Sequence, residues 1–160
     1  MSRTRGVLAG AATLVLGLGI GWWTLATPGG ASPAGPKAKN TIHVIEHGAT
    51  DTVVDTDGDG NVSTGDLLTF HNKVFDATDD HRVGRDMGDC VRIDNRRSTW
   101  ECRWTTFLAD GEITVEGPFY DTQDTVLAVT GGTGAYASAQ GSMEIHALGD
   151  GKYGFIFDLT

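Results

Sequence analysis

The sequence predicts an all-β domain of eight short strands, a sandwich or a barrel, behind an N-terminal hydrophobic helix. Three observations predict it. From Thr41 onward, short runs rich in β-branched and aromatic residues alternate with turns built on Gly and Asp, such as "DNRR", "ADGE", "GGTG" and "LGDGK". No stretch after residue 40 carries an apolar stripe at the 3.6-residue helical period. The chain has 160 residues, with 23 Gly and only 4 Pro, and its folded part of about 120 residues suits one small domain with a single core.

The N-terminus reads as a targeting segment. "MSRTR" is basic, and Gly6 to Ala26 follows without a charge. As a helix these 21 residues would span roughly 32 Å, enough for a bilayer core, with Trp22 and Trp23 at the interfacial belt. The run is longer than the apolar part of a cleavable signal, which favours a retained anchor; Thr24-Leu25-Ala26 and Gly29-Gly30-Ala31 resemble cleavage sites, which favours a signal peptide. In either case residues after Ala26 are expected outside the cytoplasm, secreted or held at the membrane by this segment. Residues 27–40, "TPGGASPAGPKAKN", form a flexible linker, and residues 41–160 the β domain.

Eight strand-like runs follow: "NTIHVIEH", "GDLLTFHNKVF", "DCVRID", "STWECRWTTFLA", "GEITVEGPF", "TVLAVTG", "GSMEIHAL" and "KYGFIFDLT". The mixed charges Asp79, Asp80, His81, Arg82 and Arg85 are expected in a solvated loop. "NRR" is expected as a three-residue turn that sets Asp94 opposite Ser98, Arg92 opposite Trp100 and Cys90 opposite Cys102. Opposed Cβ atoms on adjacent strands lie at about the distance a disulfide needs, and export makes Cys90–Cys102 the expected bridge. The competing reading is a free Cys90 in a pocket. Trp100, Cys102 and Trp104 share the inward face, while Glu101 and Arg103 take the other.

"DTDGDGNVSTGD", Asp55 to Asp66, has the oxygen spacing of a calcium loop: Asp55, Asp57 and Asp59 first, Gly60 at the turn, Asp66 at the twelfth position. Its flanks read as strands rather than the helices of an EF-hand, so calcium is an option here and no cofactor is expected to be required. The formal net charge is −9; with Arg3, Arg5, Lys37 and Lys39 set aside, the remainder has 8 basic and 21 acidic side chains, a net of −13. So acidic a domain repels phosphate backbones, which excludes nucleic acid as a partner class. His43, His47, His71, His81 and His146 have no metal-ligand spacing, and no nucleophile elbow is present. "TGGTG" opens no helix and lacks the lysine of a phosphate loop, so its glycines are expected to turn the chain.

"VEGPFYDTQDTVLAVTGGTGAYASAQGSMEIHAL" resembles the C-terminal half of allene oxide cyclases, with "STGDLLTFHNKVFD" and "HRVGRDMGDCVRI" matching earlier strands of that family. The Val-Gly-Arg stretch also resembles dirigent proteins. The resemblance runs from about Ile42 to Thr160 and implies a closed eight-stranded antiparallel barrel whose lumen binds an apolar, reactive substrate, and a homo-oligomer. Matched to the family's pocket, its asparagine is Asn72 and its cysteine is Cys90. Its tyrosine falls on Phe119, its first-strand glutamate on Val44, and a further asparagine on Glu46. Glu46 and Asn72 are then the expected catalytic pair, and Cys90, Trp100, Trp104 and Phe119 the expected ligand wall. Glu46 has two readings: a lumen carboxyl with a raised pKa, or one that faces solvent or is satisfied by Arg92. The resemblance implies a cyclase or isomerase of a hydrophobic small molecule. A hydrophobic-ligand carrier and a structural cell-surface module are the alternatives.

Overall fold

A computed structural model describes residues 40–121 and 123–160; the hydrophobic helix and linker expected before them lie outside the described residues. The strands are β1 (Asn40–His47), β2 (Thr52–Val54), β3 (Leu67–Phe70), β4 (Lys73–Asp76), β5 (Arg82–Asp94), β6 (Thr99–Leu108), β7 (Gly111–Tyr120), β8 (Thr125–Gly132), β9 (Gly141–Gly149) and β10 (Lys152–Leu159). All pairings are antiparallel. β1 pairs with β4 and β10, and the ladder continues through β9, β8, β7, β6 and β5 back to β4. The ring is closed, so it leaves no open sheet edge.

β3 and β4 are two halves of one strand. β4 pairs with the start of β5 and β3 with its later part, at Leu67↔Val91 through Phe70↔Gly88. Counted so, the barrel has the eight expected strands. The break falls at His71 and Asn72 because the loop after β1 intrudes: the Thr50 hydroxyl accepts the His71 N–H at 2.8 Å and donates to the His71 carbonyl at 2.9 Å. β2 is an addition that pairs only with β3.

Of the charged run, Asp79, Asp80 and His81 stay in the loop between β4 and β5, but the arginines do not. Arg82 and Arg85 belong to β5, because alternation carries the strand back through "RVGRDMG", with the charges outward. The following hairpin keeps Arg92↔Trp100 and Cys90↔Cys102, but Asp94 opposes Thr99 rather than Ser98. The turn is therefore one residue longer than expected, with Ser98 at φ 52°. The bridge between Cys90 and Cys102 is formed.

"GGTG" divides its glycines between strand and turn. Gly132 ends β8, and Gly134 opens the single 3-10 turn found among the described residues. Gly134 sits at φ 58°, where a Cβ would meet the Asp110 carbonyl oxygen at 2.4 Å.

Alternation fills the lumen. Val44, Val74, Trp104, Ile113, Val115, Leu127, Met143, Phe155 and Phe157 form a buried cluster. Full burial of side chains such as Phe155 and Phe157 stabilises the barrel by about 2–3 kcal/mol each.

Candidate active site

Inward positions on β1, β3 and β4 carry Glu46, Leu68, Phe70, Asn72 and Val74, and the register survives the break at Asn72. Asn72 and Asp86 of β5 exchange both backbone hydrogen bonds, at 3.0 Å each. Asn72 N–H also donates to Asp86 Oδ1 at 3.1 Å. The Asn72 side chain is a hub. Its Nδ2 donates to Glu46 Oε1 at 2.7 Å and to Asp51 Oδ1 at 2.8 Å. Its Oδ1 accepts the N–H groups of Ala49 and Thr50, each at 3.0 Å, and competes at 3.0 Å with the His71 carbonyl for the single Thr50 hydroxyl hydrogen. With its polar atoms so engaged, Asn72 holds two carboxyls in place and is a positioning residue.

Glu46 and Asp86 are both buried, and neither has a cationic partner among the described residues. Burial, the charge of Asp86 and that of Asp51 push Glu46 well above the carboxylate range, against the Asn72 hydrogen bond that lowers it. Burial also raises Asp86, to about 7, opposed by Asn72 N–H and by the neighbouring Glu46 carboxyl. Both shifts favour a proton on the pair inside the barrel. Arg92 does not satisfy Glu46. It donates from Nη1 to Asp121 Oδ2 at 2.7 Å and stacks over Trp100, with 4.8 Å between guanidinium carbon and ring centroid.

Glu46, but not Asp86, borders a cavity of about 40 Å³, room for a few waters, or about 360 Å³ counted out through its open mouth. Glu46, Asp51, Trp104, Phe119, Tyr153 and the Cys90–Cys102 bridge line it, with Leu68, Phe70, Ile145 and Phe155 completing an apolar wall. Cys90, Trp104 and Phe119 are therefore at the cavity as expected, Cys90 as half of the bridge. Trp100 is not: it is buried elsewhere, with Nε1 donating to Asp121 Oδ1 at 2.8 Å. Gly88 stands opposite Trp104, where a Cβ would come within 2.3 Å of the Trp104 Cβ.

Sequence reasoning missed Asp86 and Asp51. Asp86 was hidden by the assignment of its surroundings to a loop; alternation counted back from Cys90 puts it inward. Three buried polar atoms find no partner: Asp86 Oδ2, Trp104 Nε1 and Thr106 Oγ1. Thr106 opposes Asp86 across β5 and β6, two residues from Trp104 on the same face.

The acidic loop is separate from the lumen. Asp55, Asp57 and Asp59 bring carboxylate oxygens within 4.8 Å of one another. Asp66 does not complete the set. Its oxygens accept Thr56 N–H at 2.8 Å and Ser63 N–H at 2.7 Å, bonds that lower its pKa and tie down the loop's base. Asp55 accepts the N–H groups of Gly58 and Gly60, so part of the spacing serves the loop's own turns.

The allene oxide cyclase family model matches residues 42–154. The chain belongs to the allene oxide cyclase family. Among solved structures, a pyocyanin demethylase is 24% identical with a TM-score of 0.64, over 76% of this chain and 100% of that one. A pterocarpan synthase dirigent protein is 15% identical with a TM-score of 0.60, over 76% and 83%. An exo-specific intermolecular Diels-Alderase is 14% identical with a TM-score of 0.58, over 76% and 98%. These likenesses are of fold: the same barrel carries several chemistries.

Proposed function

We propose that the barrel is a cyclase or isomerase acting on a hydrophobic small molecule held in the lumen, with Glu46 as the proton donor and Asp86 as its partner. The observation that carries this reading is the buried Glu46 carboxyl on the wall of a largely apolar cavity, with the buried Asp86 carboxyl beside it and no ion pair to either among the described residues. An acid that stays protonated at neutral pH can protonate a developing oxyanion or an opening epoxide, and the pair can take the proton back. The aromatic wall folds the substrate and excludes water, which supplies much of the barrier reduction in a unimolecular ring closure. Asn72 fixes the pair and does not meet the substrate. Trp104 Nε1, an unpaired donor bordering the cavity, would bind a substrate oxygen. No cofactor enters this chemistry. Export, by the N-terminal segment, is part of the proposal and would put the substrate outside the cytoplasm.

The test is turnover. The protein is incubated with a lipophilic epoxide and with a conjugated polyene, and products are resolved by chromatography and mass spectrometry. Rearranged product is expected, and Glu46→Gln should lower its rate by about 100-fold or more while leaving binding within about threefold. Equal rates for the two proteins would refute the assignment of Glu46. The wall of Leu68, Phe70, Ile145 and Phe155 favours a second reading, a carrier. Tight binding with every ligand returned unaltered would establish it instead.

A further inference from the structure

A second concavity lies on the outside of the barrel, with Asn72 in its wall. It has a volume of about 330 Å³ and is lined by His47, Thr50, His71, Lys73, Phe75, Arg82 and Arg85. Three cations and two histidines thus converge within a chain of formal charge −9. Lys73 and Arg85 are directly opposed across β4 and β5, and Arg82 opposes Phe75 one register step on. Like charges placed opposite one another on adjacent strands repel. Yet Lys73, Arg82 and Arg85 make no ion pair among the described residues. The nearby acids are already engaged: Asp79 by His47 and Lys152, Asp76 by His81 and Thr78. The walls between the cationic heads are apolar. The His47 ring stacks on Phe75 with centroids 4.1 Å apart, and these rings and the methylene stems of the cations line the concavity; Arg85 also lies 4.1 Å over the ring of Phe107, outside that lining.

We infer that this outer concavity is a binding site for an amphiphilic organic anion, a carboxylate or sulfonate on a flat apolar body. The anion would relieve the repulsion between Lys73 and Arg85, and its apolar body would cover Phe75. The inference is independent of the lumen reading, because among the residues of this site only Asn72 hydrogen-bonds a carboxyl of the pair.

The probe is 2-naphthoate, with neutral 2-naphthamide as its uncharged counterpart, titrated into the isotopically labelled full-length protein and followed by amide shifts and calorimetry. Shifts centred on His71, Lys73, Arg82 and Arg85 are expected, with affinity falling as salt is raised. The amide should bind about tenfold or more weakly. Lys73→Glu with Arg85→Glu should weaken naphthoate by about tenfold or more, and the mild Lys73→Gln by about two- to fivefold, with the other amide signals unmoved. Glu46→Gln should change nothing. Shifts confined to lumen residues such as Leu68 and Tyr153, or equal binding of naphthoate and naphthamide, would overturn the assignment. Concentration-dependent broadening of the same amides without ligand would overturn it in favour of a second copy of the chain.

Discussion

Asp86→Asn changes one atom in the most strained part of the charge pattern. The Asn72 N–H keeps its acceptor, now an amide oxygen, and the new amide nitrogen can donate toward the acidic neighbours. What disappears is the cost of ionising a carboxyl inside the barrel. The folded-state pKa of Asp86 is about 7 against 3.8 for an unperturbed aspartate. The folded state therefore binds the proton more tightly, so this group's stabilisation is complete below about pH 3.8 and is lost as pH rises through about 7. At about 1.4 kcal/mol per unit, the loss amounts to roughly 4 kcal/mol by pH 8. The variant does not suffer that loss. Urea unfolding of wild type and Asp86→Asn at pH 5 and pH 8 should show the variant's stability relative to wild type rising by about 2–3 kcal/mol between the two conditions, the part of the loss that falls in that window. A relative stability that is flat or falls with pH would refute the raised pKa of Asp86.

Three further perturbations test the frame around the site. Replacing both Cys90 and Cys102 by Ser opens a link between residues 12 apart in sequence and should cost about 3 kcal/mol, read as a lower urea midpoint; an unchanged midpoint would contradict the bridge's role. Asp121→Ala strips the buried Arg92 and the Trp100 N–H of their acceptor together, and should destabilise by about 2–4 kcal/mol in the same assay, whereas a loss below about 0.5 kcal/mol would show that the pair is solvent-compensated. Chelation by EDTA should move the melting temperature by less than about 1 °C, because Asp66 is committed to Thr56 and Ser63; a fall of several degrees would restore the calcium reading of Asp55 to Asp66.

The strands were legible because their alternation is strong. "WECRW" places Trp100, Cys102 and Trp104 inward without ambiguity, and its pairing with "CVR" follows from one hairpin. The register at the turn itself was not, since a turn with Ser98 at φ 52° carries no glycine to mark it. Glu46 and Asn72 came from family resemblance, and their meeting across β1 and β4 is a product of the barrel. Asp86 escaped for a physical reason. Its neighbours Arg82, Arg85 and Asp89 give the run a solvated composition, and only alternation counted back from Cys90 separates the inward carboxyl from the outward charges. Trp100 lies away from the cavity because its indole N–H needs an acceptor, and Asp121 supplies one there. The calcium spacing is ambiguous because the same Asp and Gly residues that hold an ion also close Asx turns.

The account rests on a carboxyl pair that holds a proton at neutral pH inside the barrel. Carbon-13 titration of the side-chain carboxyls measures this directly. The account predicts that Asp86 inflects near pH 7 and that Glu46 remains protonated well above the ordinary carboxylate range. Both groups titrating near pH 4 would contradict it and leave the lumen without an acid.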